Sequence, residues 1–434
     1  MRTETHTATL THPLPSYWST YTPRQRWGYL VVLFLVSTSQ FFDRNVVSVL
    51  LEPIKEEFRV SDTMLGLLGG LCFALFYAVA GMPVARWADR GDRRAVIALA
   101  LAVWSVMTIF CGLAQTFWQL AFARVGVGVG ESGGIPPSQS LIVDYFPPER
   151  RATAIAIFIG GATAGNVLGL WVGGNIAATY GWRYAFLLAG IPGLVLALAV
   201  RLTLAEPRLP LALVITNRPA DGVMTTILRL RRKRSYVAIL LGSVLYYCFG
   251  YGALIFVPSF LMRVLHAPLA KVGTIYGLVV AAGSLFGTLA GGWLADRLSR
   301  HDVRWLSWLP ASAFVLACPI YMVAFSIRDF SICMAFVFVG TVMLAGGLPS
   351  VFSAIHSVCG STRRATAIAI VLFSASLFGG GLGPLASGAL SDGLNAHYGN
   401  QGLRYALMTM TTLLAASGII LYWSGRAMPR DLEE

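Results

Sequence analysis

The chain has 434 residues, of which 56% are hydrophobic and only 12% charged, about half the charged share of a soluble domain. Its formal net charge is +13, yet the basic residues flank apolar runs and mark topology rather than a nucleic-acid surface. Six scattered histidines, and six cysteines lying mostly within apolar runs, give no metal or disulfide framework.

In chain order, the polar tail 1–26 lacks the apolar core of a cleavable signal, so the first span is expected to act as its own insertion signal. Twelve apolar runs follow, each of at least the roughly 18 residues a bilayer core requires. They fall near 27–50, 63–85, 95–114, 118–143, 152–176, 184–204, 235–260, 272–293, 306–326, 331–356, 365–391 and 403–424. The predicted fold is an all-α membrane protein of twelve transmembrane helices in two pseudo-symmetric six-helix bundles. Its parts are a tail 1–26, a bundle 27–204, a linker 205–234, a bundle 235–425 and a tail 426–434. With both termini cytoplasmic, 23 of the 33 Lys and Arg fall on the inner side and 7 on the outer, as the positive-inside rule asks. Short loops without an N-x-Ser/Thr acceptor point to a bacterial inner membrane.

The first span carries "TSQFFDRNVVSVLL" (38–51), with Asp43 and Arg44 side by side. A charge at mid-membrane depth costs about 2.5–3.5 kcal/mol on the gentlest insertion scale. Asp43 is expected about seven residues, roughly 10 Å, below the outer end of its helix, and Arg124 about six residues, roughly 9 Å, into the fourth span. These two therefore share a depth. Glu131 follows two turns deeper, on roughly the same face as Arg124. Asp43 is expected to pair with Arg124, leaving Arg44 for Glu131 or for an anionic headgroup. A carboxylate carries a proton only if its pKa nears working pH; desolvation raises that pKa and a nearby arginine lowers it. Asp43 and Glu131 are thus the candidate proton-coupling residues, with Glu131 ahead because it lies deeper. Arg44 and Arg124 are the candidate charge partners and substrate ligands. A static buried salt bridge is the plainer alternative.

Between the second and third spans stands "ARWADRGDRR" (85–94), whose second copy is "GGWLADRLSR" (291–300). Asp89 can cap a helix or pair with arginines of the other half. Asp89, Arg90, Arg93, Arg94, Asp296 and Arg297 are therefore a candidate conformational latch, against the plainer reading of a solvated basic turn. Glycines 126, 128, 130, 133 and 134 surround Glu131, and glycines at 161, 165, 169 and 173 form a four-residue stripe. Such spacing suits close helix packing, or a hinge. The seventh span holds Tyr246, Tyr247 and Tyr251, whose polar-tipped rings suit an amphipathic cargo; an interfacial belt is the alternative.

The halves repeat themselves. "RRATAIAI" stands at 150–157 and 363–370, "GGIP" at 133–136 answers "GGLP" at 346–349, and "RYA" recurs at 183–185 and 404–406. Repeats in matching slots fit a pseudo-twofold axis along the membrane normal. With the two ADR loops, these motifs resemble the major facilitator superfamily. "DR" (43–44), "GLL" (66–68), "RVGVGVGE" (124–131), "VDYFPPERRATAI" (143–155) and "GWRYA" (181–185) are similar to its spinster-like branch. The resemblance is dense through 40–200 and thinner afterwards, and Gln40-Phe41-Phe42 stands where relatives often have Asn-Tyr before the DR pair. It implies a proton-linked carrier of lysolipids or sphingoid lipids, with helices 1, 4, 7 and 10 around a central cavity.

Function follows as an expectation: a proton-coupled secondary transporter of an amphipathic lipid-like solute, working by alternating access. Another small organic anion or drug is the alternative cargo. No GxxxxGK[ST] phosphate loop and no HExxH or clustered His/Asp set occurs, so neither ATP hydrolysis nor enzyme catalysis is expected. A channel or sensor on the same fold is the alternative outside transporters, and saturable flux separates it. No cofactor is expected beyond protons as the coupling ion. The expected partners are the solute and membrane lipids, with the chain acting as a monomer.

Overall fold

The computed structural model describes residues 17–207 and 223–432; these are helical nearly throughout, with no strand among them. Residues 1–16 of the tail and 208–222 of the linker lie outside the described residues. Helix α1 (Pro23–Phe58) starts with a Thr22–Gln25 capping box and a proline in its first turn, both favourable at an N-terminus. Next come α2 (Cys72–Arg90), entered through Asp62–Gly66 and a π-turn at Leu67–Leu71, then α3 (Arg93–Leu113), α4 (Phe117–Glu131) and α5 (Ile135–Tyr145). Helices α6 (Pro148–Tyr180) and α7 (Trp182–Thr203) complete the first half.

The second half opens with α8 (Arg234–Tyr247), which runs through Cys248–Phe256 into α9 (Val257–Arg263). It continues with α10 (Leu269–Ser299), α11 (Trp305–Ser326), α12 (Phe330–Val358), α13 (Gly360–Ser374), α14 (Gly383–Tyr398) and α15 (Gly402–Asp431). Among the described residues, ten stretches are long and apolar enough to cross a membrane. The last of these, Thr366–Asp431, is 66 residues long and reverses at the short turn Gly399–Gln401, where α14 and α15 pack on each other. The expected fourth crossing at 118–143 differs from its sequence reading, since it is broken into α4 and α5 around Ser132–Gly134. Two glycines there favour helix least after proline, and Pro136 falls in the first turn of α5, where its missing N–H leaves no ladder bond unmade.

Packing repeats between the halves. The pairings of α3 with α7, α3 with α4, and α2 with α4 are matched by α11 with α15, α11 with α12, and α10 with α12. The halves meet through α6 on α10 and through Asp62–Gly66 on α14. The hydrogen bonds joining them among the described residues gather at the end where α1 finishes, the Phe58 end. Asn175 Nδ2 donates to Thr274 Oγ1 at 3.0 Å, and the amides of Asp62 and Thr63 donate to Asp392 at 2.9 and 2.7 Å.

The glycine stripe of α6 is a packing face. A Cβ on Gly165 would stand 2.3 Å from the Thr38 carbonyl of α1, and one on Gly161 would stand 2.6 Å from that of Phe34. Helix α6 runs unbroken past all four glycines. Overpacking a tight core costs about 1–3 kcal/mol. Gly165→Ala should therefore lower the melting temperature in detergent, whereas Gly28→Ala, with nothing within 4 Å, should leave it unchanged. Equal melting temperatures for the two variants would contradict this packing.

Candidate functional site

Three buried charges and the half-buried Arg44 converge between α1 and α4. Asp43, Arg124 and Glu131 are 1%, 2% and 0% exposed. Arg44 Nε donates to Glu131 Oε2 at 2.6 Å, and Gln40, one turn earlier on α1, donates its Nε2 to the Glu131 carbonyl at 3.0 Å. Helix α4 itself packs tightly on α2 and α3 because its contact residues there are glycines. A Cβ at Gly128 would meet the Phe73 backbone at 2.5 Å, and one at Gly130 the Trp104 backbone at 2.7 Å.

One expected pairing does not form. Asp43 accepts instead from Thr108 Oγ1 of α3 at 3.3 Å, and no ion pair within 4.0 Å joins it to Arg124 among the described residues. Depth placed the two side by side along the axes, but it says nothing of the rotation of each helix about its own axis. Arg124 Nε and Nη1, Arg44 Nη2, Asp43 Oδ1 and Glu131 Oε1 are buried with no hydrogen-bond partner among the described residues. Unmet buried donors and acceptors are rare in native proteins. This set can hold an anion against the guanidinium N–H groups and receive a proton on either carboxylate.

An aromatic wall holds the cations, and the sequence reading missed it. Arg44 lies over the rings of Phe41, Phe73 and Tyr77 at 5.2, 4.9 and 4.7 Å, and Arg124 lies over Phe73 at 5.2 Å. These distances fall within cation–π range. Phe73 and Tyr77 are four apart on α2 and stack on each other, an i,i+4 aromatic pair that the sequence displays. From the other half, Tyr251 is 52% exposed and lies near enough to Arg44 and Tyr77 to interact with them electrostatically. Tyr247 stacks on it at 5.5 Å. Tyr246 is placed differently: it is buried against Phe314 at 4.6 Å and supports the Tyr247–Tyr251 stack from behind.

The candidate latch residues divide into two groups. Arg93 is buried and tied within its own half, to Glu206 at 2.5 Å, Asp144 at 2.7 Å and Ser140 at 2.8 Å. Arg94 donates to Asp92 at 2.9 Å and to the Leu204 carbonyl at 3.3 Å. Together they clasp the start of α3 to the chain leaving α7. The cap of α3 is Asp92, which accepts from the Ala95 amide at 3.0 Å, whereas Asp89 lies within α2 with its side chain outside the described residues. Partial burial would raise the Asp92 carboxyl, but Arg94 and the Ala95 amide outweigh it and hold the group below the usual carboxylate range. Arg90, Asp296 and Arg297 are exposed, and Arg297 rests over Trp293 at 5.6 Å.

The chain matches the family described as Major Facilitator Superfamily over residues 33–384. It is 36% identical over 409 residues to an MFS-type efflux pump of Mycolicibacterium smegmatis, covering 94% of each chain. The sphingosine-1-phosphate transporter of Danio rerio is 26% identical over 419 residues, covering 89% of this chain and 82% of its own. Among solved structures, a bacterial homolog of the human lysosomal transporter Spinster, inward-facing and unoccupied, superposes with a TM-score of 0.87 at 29% identity. That match covers 95% of this chain and 100% of the other.

Proposed function

Since the chain belongs to the major facilitator superfamily, a family of transporters rather than enzymes, we propose that it is a proton-coupled secondary transporter of an amphipathic, lipid-like solute, working by alternating access. The observation that carries this reading is the Arg44–Glu131 ion pair beside an arginine with unmet donors. A negatively charged headgroup would take the free N–H groups of Arg124 and Arg44, while Phe73, Tyr77, Tyr247 and Tyr251 offer apolar faces to the adjoining chain. Protonating Glu131 would release Arg44 to the headgroup. The relationship to a sphingosine-1-phosphate transporter supports a lysophospholipid or sphingoid cargo. The relationship to an efflux pump favours a second reading, a proton-coupled exporter of another small organic anion or drug.

In this reading both termini are cytoplasmic in a bacterial inner membrane, twelve helices cross it, and the chain works as a monomer with protons as its only coupling species. The closed Phe58 end is then the outer end, and the arrangement is inward-facing, in keeping with its resemblance to an inward-facing structure. Flux into proteoliposomes tests the cargo. Lysophospholipids, sphingoid phosphates, small organic acids and hydrophobic drugs would each be offered with and without a pH gradient. Gradient-dependent, saturable uptake of an amphiphile is expected; uptake of none of the amphiphiles would overturn the lipid-like cargo.

Asp89 and Asp296 sit at the opposite, inner end, where they would engage only when that end closes. Neutralising Asp89 should therefore shift spin-label distances between the halves toward the inward-facing population. Unchanged distributions would reduce the repeated ADR loops to a topology signal.

A further inference from the structure

At the Phe58 end, away from the charges of the central site, a second ionic cluster joins the halves. Arg263, the last residue of α9, donates Nε and Nη2 to Glu52 at 2.9 and 2.8 Å. Its Nη1 and Nη2 also donate to Asp62 at 2.7 and 2.9 Å. Asp62, 0% exposed, further accepts from Lys55 Nζ at 2.6 Å and from Ser391 Oγ of α14 at 2.5 Å. Asp392 completes the joint by accepting from the amides of Asp62 and Thr63 and from the Thr63 hydroxyl. One guanidinium of the second half is therefore shared between two carboxylates of the first.

Glu52, Lys55 and Arg263 also line a vestibule of about 830 Å³ that opens at this end, together with Arg59, His266 and Asn395. Arg59 and His266, the two described non-glycine residues in left-handed backbone, have φ of 52° and 53°. They stand at the ends of the two helices that supply Glu52 and Arg263. Non-glycine residues hold this conformation at a cost and persist where neighbours fix them.

We propose that Arg263, gripped by Glu52 and Asp62, is the latch that holds the Phe58 end shut, and that Ser391 and Asp392 anchor the same joint from α14. The inference rests on the alternating-access reading of the proposed function. Opening this end parts the halves where the cluster joins them, so four charge-assisted hydrogen bonds of Arg263 must break together. Bonds of this kind are the strong ones, and costly to leave unmade once buried. The central charges are not part of the latch; Asp43, Arg44, Arg124 and Glu131 all belong to the first half.

Spin labels at Tyr180 and Tyr398, exposed positions at this end on opposite halves, would report the opening as a distance distribution. Arg263→Gln should raise the open-to-closed ratio roughly tenfold or more, the scale of one lost buried charge-assisted contact. Arg263→Lys keeps a charge but lacks the planar fork that makes four bonds to the two carboxylates, and should shift the ratio in the same direction; it carries the test if the glutamine variant does not assemble. Glu57→Gln breaks the 2.6 Å Arg183–Glu57 pair at the same end but within one half, and should leave the ratio unchanged. An unshifted distribution in both Arg263 variants, or an equal shift with Glu57→Gln, would overturn the latch. Failure of the alternating-access reading shows separately, as a native protein whose distances respond neither to pH nor to solute at either end.

Discussion

Glu131→Gln is expected to yield a folded, inserted protein whose transport no longer follows pH. Glutamine keeps the shape and one acceptor for Arg44 Nε, which now lies 2.6 Å from Glu131 Oε2, but it cannot exchange a proton. In the native protein, protonating Glu131 removes the charged partner of Arg44. Losing one partner of a buried ion pair costs about 3–5 kcal/mol. That is comparable with the roughly 5.5 kcal/mol that swings a two-state equilibrium from 1:99 to 99:1. On the proposed coupling, one protonation would bias the two arrangements by the part of that cost that falls on one of them alone, and the glutamine variant would be fixed in the protonated-like state. Asp43→Asn should act in the same direction with a smaller effect, because among the described residues Asp43 has only the Thr108 hydroxyl as a hydrogen-bond partner. Rates measured from pH 5 to 8 should be flat for Glu131→Gln and shallower than native for Asp43→Asn. Native pH dependence in both variants would make the carboxylates structural.

Removing the two arginines should have opposite signatures. Arg44→Ala strands Glu131, which is 0% exposed, and the loss should appear as instability of about 3–5 kcal/mol. Arg124 makes no ion pair within 4.0 Å among the described residues, and its Nε and Nη1 have no hydrogen-bond partner. Arg124→Ala should accordingly cost little stability and much binding. A charge-assisted contact is worth about 1.5–3 kcal/mol, so two lost contacts correspond to an affinity drop of roughly a hundredfold or more. Solute binding by calorimetry and thermal unfolding in detergent would separate the two. Equal losses of stability and affinity in both variants would contradict this division of roles.

Much of the architecture is legible in the sequence because hydropathy fixes where a helix lies along the membrane normal. The repeated loops give the pairing of halves for the same reason. What hydropathy does not carry is rotation about each helix axis. Arg44 with Glu131 was among the open pairings and is realised. Asp43 with Arg124 rested on shared depth alone, and Thr108 takes the position beside Asp43. The break at Ser132–Gly134 is signalled by "SGGIPP", although a hydropathy window averages over it. Phe73 and Tyr77 pass unnoticed because an uncharged i,i+4 aromatic pair resembles ordinary core. Arg263 enters the sequence reading only as one of the seven outer basic residues, and Glu52 and Asp62 do not enter it, since only the folded chain shows that the three meet across the halves.

The central claim, that solute movement and proton movement are coupled, is tested most directly by a pH-sensitive dye trapped inside proteoliposomes. At zero initial pH gradient, adding a transported amphiphile should change the internal pH in native vesicles and leave it unchanged in Glu131→Gln vesicles. Solute flux in native vesicles with no accompanying change in internal pH would contradict the account.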